Sequence, residues 1–287
     1  MADTLARSPL RFARDWPHRP EGAPALLMGV LNLTPNSFSD GGSYATLAEE
    51  LARARAMAAD GADILDIGGE STHPAAAPVS EEEEQARVLP ALRILAAEAP
   101  VPLSIDTYRA GTARAALALG VAIVNDVWGL QREPEIAHVI ADHDAAVCIM
   151  HNRTGFDPGL DVFSEMRRFF DRSLERAERA GIRRAKIVLD PGIGFGKTFD
   201  QNLQVLNRLG DLKSYGFPLL VGASRKGFIG KVTGRPVPAD RLNGTLAAHV
   251  AAALSGAAII RAHDIAAHKD ALAMVAAIRS ETAEPRT

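Results

Sequence analysis

The sequence predicts a single (β/α)8 barrel, the TIM-barrel fold, and three observations support that fold class. Short apolar runs alternate with alanine-rich helical stretches eight times between residues 25 and 278, which is typical of parallel strands joined by helices. Eight is the strand number that closes such a sheet into a barrel. The chain has 287 residues, 47% of them hydrophobic, and no linker divides it, so one large domain is expected.

Each predicted strand is a short apolar run that ends at a polar or glycine-containing loop. The eight predicted strands are residues 26–31, 64–67, 103–105, 121–124, 146–150, 186–189, 218–221 and 257–260. A helical stretch follows each strand, directly or after a loop, as parallel pairing requires. These predicted helices begin near Thr46, Ser80, Arg109, Glu135, Asp161, Asn202, Asp240 and Ile265.

Two of the predicted helices carry further local signals. In the second, Ser80 lies three residues before Glu83, which predicts a side-chain cap, and Pro90 predicts a kink within the helix. The helix after the seventh strand has apolar residues four apart, which predicts one apolar face. These residues are Leu242, Leu246, Val250 and Leu254.

Composition and charge argue against several classes of function. The formal net charge is only −3, so neither nucleic acid nor a membrane surface is expected as the main partner, and no apolar run reaches membrane-spanning length. The single cysteine, Cys148, is predicted to be a buried thiol, which fits a cytoplasmic location. We expect residues 1–23 to form a loose N-terminal arm without a targeting signal, residues 24–280 the barrel domain, and residues 281–287 a tail.

The loop after the sixth predicted strand carries the strongest single signal. In L-D-P-G-I-G-F-G-K-T, residues 189–198, Asp190 comes where the strand ends, and three glycines follow at alternate positions. Glycines spaced in this way let backbone N–H groups approach a ligand, so the loop suits a polar, partly anionic small molecule. The spacing excludes both the nucleotide-binding lysine loop and the dinucleotide fingerprint. For Lys197, orientation of the loop is favoured over exposure to solvent.

Polar residues follow every predicted strand, and the carboxyl ends of barrel strands form the mouth where active sites lie. Amide and carboxylate groups there suit the amino and lactam edges of a flat nitrogen heterocycle, since each edge needs a partner once desolvated. Basic groups after strands seven and eight suit phosphate, and Asn32 is placed to help coordinate a magnesium ion shared with phosphate oxygens. No cysteine–histidine zinc cluster and no nucleophile elbow is present. The ring comprises Asn32, Asp66, Asp106, Asn125, Asp126, His151, Asn152, Asp190, Gly222, Ser224, Arg225, Lys226, Arg261, His263 and Asp264.

Eight ordered motifs, spread over a match from about residue 26 to 278, resemble those of the dihydropteroate synthase family. They are G-V-L-N-L-T-P-N-S-F-S-D-G-G at 29–42, D-I-G-G-E-S-T at 66–72, S-I-D-T at 104–107, N-D-V at 125–127, D-P-G-I-G-F-G-K-T at 190–198, S-R-K-G-F-I-G at 224–230, R-L-N-G-T-L-A-A at 241–248 and R-A-H-D at 261–264. The resemblance implies a barrel transferase of folate biosynthesis. It would join 6-hydroxymethyl-7,8-dihydropterin diphosphate to 4-aminobenzoate, giving 7,8-dihydropteroate and diphosphate.

The resemblance also implies site residues, named here by the group that they would hold. The implied substrate-binding residues are Asp106, Asn125, Met150, Asp190, Gly222 and Lys226, with Thr72, Pro74, Phe195 and Ser224 around 4-aminobenzoate. The implied diphosphate-binding residues are Asn32, Arg261 and His263, with Asn32 also a ligand to Mg²⁺. The implied catalytic residues are Asp106, Lys226, Arg261 and His263. A homodimer and inhibition by sulfonamides, as mimics of 4-aminobenzoate, are implied as well.

Four positions depart from the commoner family pattern, and two alternative functions stay open beside the synthase. The departures are Asn36, His73, Ala75 and Asn152, mainly in loops expected to close over the substrates. They allow a non-catalytic pterin-binding paralogue, which the retained basic residues argue against. A pterin-dependent methyltransferase of similar fold is the other alternative, and it leaves the S-R-K and R-A-H-D motifs unexplained.

Overall fold

The computed structural model describes residues 24–33, 47–70 and 79–282, which form an eight-stranded parallel (β/α)8 barrel. The strands are β1 (Leu26–Asn32), β2 (Ile64–Gly68), β3 (Leu103–Asp106), β4 (Ile123–Asp126), β5 (Ala146–Met150), β6 (Ile187–Asp190), β7 (Leu220–Val221) and β8 (Ile259–Ala262). They pair in the order β6-β5-β4-β3-β2-β1-β8-β7. The ring closes where Leu189 of β6 pairs with Leu219, and the Leu189 N–H donates to the Pro218 carbonyl at 3.0 Å. The predicted fold class is confirmed.

Nine α-helices are present within the described residues, and they wrap the barrel. They are α1 (Leu47–Ala59), α2 (Glu81–Glu98), α3 (Ala110–Ala118), α4 (Glu135–Asp142), α5 (Val162–Ala180), α6 (Phe199–Asn207), α7 (Gly227–Thr233), α8 (Leu242–Leu254) and α9 (Ile265–Ser280). None of these helices combines the length and hydropathy that crossing a membrane requires. The predicted N-terminal arm, residues 1–23, and residues 283–287 of the predicted tail lie outside the described residues.

Several element boundaries differ from the predicted ones because pairing and capping, and not local apolarity, determine them. The strand predicted at 121–124 is β4. It begins at Ile123, the first residue that pairs with both β3 and β5. The strand predicted at 257–260 is β8, which begins at Ile259. The helix predicted from Asn202 begins at Phe199, since the Thr198 side chain accepts from the Gln201 N–H in a capping box. Between β7 and the helix predicted from Asp240 lies a further helix, α7, which the sequence did not predict.

The predicted cap of α2 is confirmed, whereas the predicted apolar face of α8 is not the buried one. Ser80 accepts a hydrogen bond from the Glu83 N–H at 3.1 Å, and α2 continues through Pro90. On α8 the buried residues are Thr245, His249, Ala252 and Ala253. Leu254 is instead 49% exposed. This helix is alanine-rich and has little amphipathicity, so the polar residues that have partners in neighbouring loops decide which face is buried.

The interior of the barrel is a small apolar cluster contributed by alternate residues of the strands. It comprises Leu26, Met28, Ile64, Ile123, Ala146, Cys148, Val188, Leu220 and Ile259. Cys148 is therefore a buried free thiol, as predicted. Side chains on a strand alternate between faces, so the residue two positions further along each strand points inward at the mouth. Those residues are Asp66, Asn125, Met150, Asp190 and Arg261.

Candidate active site

A hydrogen-bonded network of four polar residues covers the apolar interior at the mouth. Arg261 donates from Nε to Asp66 Oδ2 and from Nη2 to Asp106 Oδ2, both at 2.6 Å. Asn125 Nδ2 donates to the same Asp66 oxygen at 3.1 Å. Both carboxylates and the amide are buried, and Asp66 is fully so. We call Asp66, Asp106, Asn125 and Arg261 the mouth network. Asp66 is the central acceptor of this network, a role that the sequence did not predict.

Burial and neighbouring charges set the protonation of this network. Burial raises the pKa of Asp106 to about 7, an effect that Arg261 opposes and Asp66 reinforces. Burial acts to lower the pKa of Arg261, but the two carboxylates outweigh it and raise that pKa above its ordinary value. Arg261 is thus a permanent cation, whereas Asp106 can change its protonation near neutral pH.

Three buried polar atoms at the mouth lack a hydrogen-bond partner among the described residues. They are Asp66 Oδ1, Ser104 Oγ and Asn125 Oδ1. Buried polar groups are usually paired, and leaving one unpaired costs about 1–3 kcal/mol. Two of these atoms are pure acceptors, so the mouth is prepared for a ligand that presents N–H groups. Sequence reasoning missed Ser104, although it lies two residues before Asp106 on the same face of β3.

The glycine loop, residues 191–197, folds tightly against the end of β5. Asp190 Oδ1 accepts the Gly192 N–H at 2.7 Å, and burial raises the Asp190 pKa. Gly192 has φ +64°, and a Cβ there would lie 1.8 Å from the His151 carbonyl oxygen. Only glycine fits this approach of two backbones, so at Gly192 the missing Cβ makes room for the His151 backbone, whereas the predicted approach to a ligand stays a prediction.

Lys197 has the structural role that the sequence favoured. Its buried Nζ donates to the Gly192 carbonyl at 2.8 Å and the Phe195 carbonyl at 3.2 Å, and contacts His151 Nδ1 at 2.7 Å. Burial lowers the pKa of Lys197 to about 7. Burial and the neighbouring Lys197 also lower the pKa of His151 to about 4. His151 is therefore neutral, and its Nε2 proton faces Glu165. The pair fixes the glycine loop to the loop after β5.

Lys226 lies beside this loop, over an aromatic wall. Its Nζ donates to the Ile193 carbonyl and lies 4.2 Å from the centre of the Phe195 ring. Burial lowers its pKa to about 7. Phe195 and Trp128 pack against a separate apolar cluster of Tyr108, Val127 and Met150. A cationic amine beside a flat apolar wall suits an aromatic ligand with a polar edge.

The loops after β7 and β8 are joined by two polar contacts. Ser224 Oγ accepts the His263 N–H at 3.3 Å and lies 2.8 Å from His263 Nδ1. Arg225 binds Asp264 in bidentate fashion, at 3.1 and 2.5 Å. Burial and the nearby Arg225 and Arg261 cations lower the pKa of His263 to about 3. His263 is therefore neutral at pH 7 and acts there as a hydrogen-bonding group, not as a cation.

Other predicted positions lie at the edge of the mouth or outside the described residues. Asn32 ends β1 beside Gly68. A Cβ added to Gly68 would lie 3.5 Å from Asn32 Oδ1 and 3.4 Å from Asp106 Cβ, which is ordinary van der Waals contact. Gly222 lies against the Arg261 side chain, since a Cβ added to Gly222 would be 3.6 Å from Arg261 Cβ. Asn152 donates to the Val127 carbonyl at 2.9 Å. Outside the described residues lie Thr72, Pro74, Asn36, His73 and Ala75.

The oxygen ligands at the mouth limit how the implied magnesium ion could bind. No group of three histidine, cysteine, aspartate or glutamate side chains in the described part of the chain could hold a metal by itself. Mg²⁺ commonly keeps several waters and binds one or two protein oxygens together with substrate phosphates. A single amide oxygen on Asn32 at the mouth fits that mode of binding, and does not fit a resident all-protein site.

Comparison with known proteins gives concordant matches along most of the chain. A family model described as pterin binding enzyme matches residues 28–263. The dihydropteroate synthase of Synechocystis sp. is 45% identical over 260 residues, 88% of each chain. A structure of the Clostridium difficile dihydropteroate synthase, obtained in the presence of pteroic acid, has a TM-score of 0.86 and 47% identity and covers 91% of this chain and 99% of its own. That of Xanthomonas albilineans with 4-aminobenzoic acid has a TM-score of 0.85 and 43% identity and covers 90% and 94%.

Proposed function

The chain belongs to the dihydropteroate synthase family of pterin-binding enzymes, and we propose that the mouth of its barrel joins 6-hydroxymethyl-7,8-dihydropterin diphosphate to 4-aminobenzoate. The reaction is the transferase step of folate biosynthesis that yields 7,8-dihydropteroate and diphosphate. Each substrate is assigned to a different part of the mouth.

The unpartnered acceptors of the mouth network are the observation that carries this proposal. Asp66 Oδ1 and Asn125 Oδ1 are buried without partners among the described residues, and Asp190 lies on the same inward face. The amino and ring N–H groups of a pterin are the donors that such acceptors need. Lys226 supplies a donor for a lactam oxygen or ring nitrogen, and Met150 supplies apolar surface for a ring face. The pterin therefore binds deepest.

The diphosphate lies outside the pterin, towards the loops after β7 and β8. Arg261 is a permanent cation, and His263 offers a neutral ring beside Ser224. Asn32, at the end of the neighbouring strand β1, would hold Mg²⁺, and the bound ion would neutralise charge on the leaving diphosphate. Preorganised donors and charges at the point where negative charge develops are the main source of rate enhancement in such a site.

The chemical step needs charge stabilisation more than proton abstraction. The bond between the pterin methylene carbon and the diphosphate oxygen breaks, and the electron pair leaves on diphosphate. The aromatic amine nitrogen then forms the new carbon–nitrogen bond and loses a proton to water or diphosphate. Asp106, when ionised, stabilises the developing positive charge on the pterin, since its carboxylate lies in the same network. The amine is unprotonated at neutral pH, so its attack requires no dedicated base.

4-Aminobenzoate binds last, nearest to solvent. We assign Phe195 and Ser224 to its ring and carboxylate, with Thr72 and Pro74 contributed by the loop after β2. The X. albilineans relative binds 4-aminobenzoic acid, which supports such a subsite on this fold. Sulfonamides resemble this substrate in shape and charge, so they are expected to compete with it.

The wider setting is proposed on more general grounds. The single buried cysteine suits a reducing cytoplasm. The partly exposed apolar residues of α8 and α9 suit a homodimer. Residues 24–280 are proposed as the one catalytic domain.

The test is product formation by the purified chain. Dihydropterin diphosphate and Mg²⁺ are supplied with and without 4-aminobenzoate, and diphosphate release and dihydropteroate are measured together. Equal amounts of both products, formed only with 4-aminobenzoate present, are expected. Tight pterin binding without product would instead indicate a non-catalytic paralogue, and turnover that needs no diphosphate leaving group would indicate a methyltransferase.

A further inference from the structure

Two buried histidines that the proposed chemistry does not use connect the loops after β7 and β8. His249 on α8 and His268 on α9 are each only 1% exposed. Nδ1 of His249 lies 2.8 Å from Nε2 of His268. At one end His249 Nε2 accepts the Ala223 N–H at 2.9 Å, and at the other His268 Nδ1 lies 2.6 Å from the Asp264 carbonyl oxygen. We call these two residues the histidine pair.

The partners at the two ends allow only one protonation pattern for the pair. Because the Ala223 N–H is a donor, His249 Nε2 carries no proton, and the ring proton is on Nδ1. That proton is donated to His268 Nε2, so His268 also carries its proton on Nδ1 and donates it to the Asp264 carbonyl. Both rings are neutral, and burial lowers the pKa of each, consistent with this pattern.

The histidine pair ends at the backbone of a constrained turn. Arg225, two residues after Ala223, has φ +59°, a left-handed conformation that is uncommon for a residue other than glycine. Its N–H donates to Thr245 Oγ1 at 3.1 Å, and Arg241 Nη1 donates to its carbonyl at 2.8 Å. Arg241, Thr245 and His249 are spaced four apart, so a single stripe of α8 and the turn before it holds the loop backbone.

This stripe also explains why α8 does not bury its leucine face. A left-handed residue costs of order 1 kcal/mol and persists only where its surroundings determine it. Here the strained residue separates Ser224 from Lys226, so its conformation sets the direction of both side chains. At the other end of the pair, the Asp264 carboxylate binds Arg225 in bidentate fashion. The two loops are therefore tied through both backbone and side chains.

We propose that His249 and His268 are positioning residues, which as a neutral hydrogen-bonded pair hold the loop after β7 against the loop after β8 and so aim Ser224 and Lys226 at the substrates. This inference rests on the proposed roles of Ser224 and Lys226. It assigns to the pair no contact with substrate and no proton transfer in the reaction.

The protonation pattern is tested first, by nitrogen-15 NMR of the histidine rings in the full chain at pH 7.5. Two neutral rings protonated on Nδ1 are expected, assigned by their loss in His249→Gln and His268→Asn. A charged ring, or a proton on Nε2 of His249, would overturn the proposal, because neither is compatible with the Ala223 contact. This measurement does not depend on activity.

Kinetics then separate positioning from general stability. His249→Leu removes both hydrogen bonds of that ring, and kcat/KM for 4-aminobenzoate is expected to fall by about tenfold or more. His249→Gln, whose amide oxygen can accept the Ala223 N–H, is expected to recover most of that loss. The matched control is Leu272→Ala, buried one turn beyond His268 on α9, which should lower the melting temperature and leave kcat/KM unchanged.

The outcomes distinguish this inference from the function on which it rests. Normal kcat and KM in His249→Leu, or an equal loss in Leu272→Ala, would overturn the positioning role while the synthase activity stands. If His249→Leu does not fold, His268→Asn serves in its place, since it keeps the donor to Asp264 and loses only the acceptor. Absence of product from the wild-type chain would overturn the proposed function, and the NMR experiment would still decide the protonation of the pair.

Discussion

At the scale of single residues, the chemistry of the mouth depends on a balance between burial and charge. Arg261 spans two carboxylates, and that geometry uses the planar fork of guanidinium, which lysine lacks. Asp106 stays close to its point of titration because burial opposes the stabilising charge of Arg261. The network therefore holds a fixed cation next to a carboxyl group whose charge depends on pH.

The pH profile follows from two of these groups. The pKa of Asp106 is raised to about 7, so the proposed active carboxylate is lost as pH falls below 7. The pKa of Lys226 is lowered to about 7, so its charge is lost as pH rises above 7. A narrow bell-shaped kcat/KM for dihydropterin diphosphate, with its maximum near pH 7, is the expected result.

The control for this profile is Lys226→Arg, measured over the same pH range. Arginine does not titrate near neutrality, so the variant should keep the acid limb and lose the alkaline limb, at a lower maximum rate. An alkaline limb that is unchanged in Lys226→Arg would show that Lys226 does not govern it.

At the scale of elements, the sequence predicted the existence of strands and helices better than their ends. Apolar runs indicated each strand, but the starts of β4 and β8 depend on the register of pairing with neighbouring strands. The burial of Thr245 and His249 on α8 likewise depends on the loop after β7, which no local pattern on the helix reveals. The same holds for the histidine pair. By contrast, the capping signal at Ser80 is local, and the structure confirms the cap that it predicts.

The glycine loop offers a test at this scale. Gly192→Ala would place a Cβ 1.8 Å from the His151 carbonyl oxygen in a left-handed residue, so the loop must move. The free energy of unfolding is expected to fall by about 3 kcal/mol, measured by urea denaturation, with loss of pterin binding. Gly210→Ala is the matched control, since nothing lies within 4 Å of its added Cβ, and it should be neutral or stabilising by about 0.5 kcal/mol. Equal stability of the two variants would contradict the packing described for the loop.

At the scale of the whole molecule, the period of two along each strand connects the fold to the site. The residues that follow Ile64, Ile123, Val188 and Ile259 by two positions all point inward at the mouth. This regularity could be predicted from the sequence, because it needs only the strands and their direction. Which inward residues bind one another could not, since Arg261 and Asp66 are separated by 195 positions.

Two lysines lie near opposite ends of strand β6, which permits a comparison within one fold. Lys226 lies at the mouth beside Asp190, the last residue of β6. Lys186, immediately before β6, is buried at the opposite end and lies 3.8 Å from Asp144. Both lose a buried or half-buried ammonium group when changed to methionine, but only one faces the proposed substrates.

The measurement that tests the central claim most directly is kcat/KM for dihydropterin diphosphate in Lys226→Met and Lys186→Met, with the melting temperature of each. Lys226→Met is expected to lose roughly a hundredfold or more in kcat/KM, because the pterin contact and the charge at the mouth disappear together. Lys186→Met should lose stability and stay within about threefold of wild type, as a change remote from the reacting atoms. Comparable losses in both variants, or a larger loss in Lys186→Met, would contradict the placement of the reaction at the mouth of the barrel.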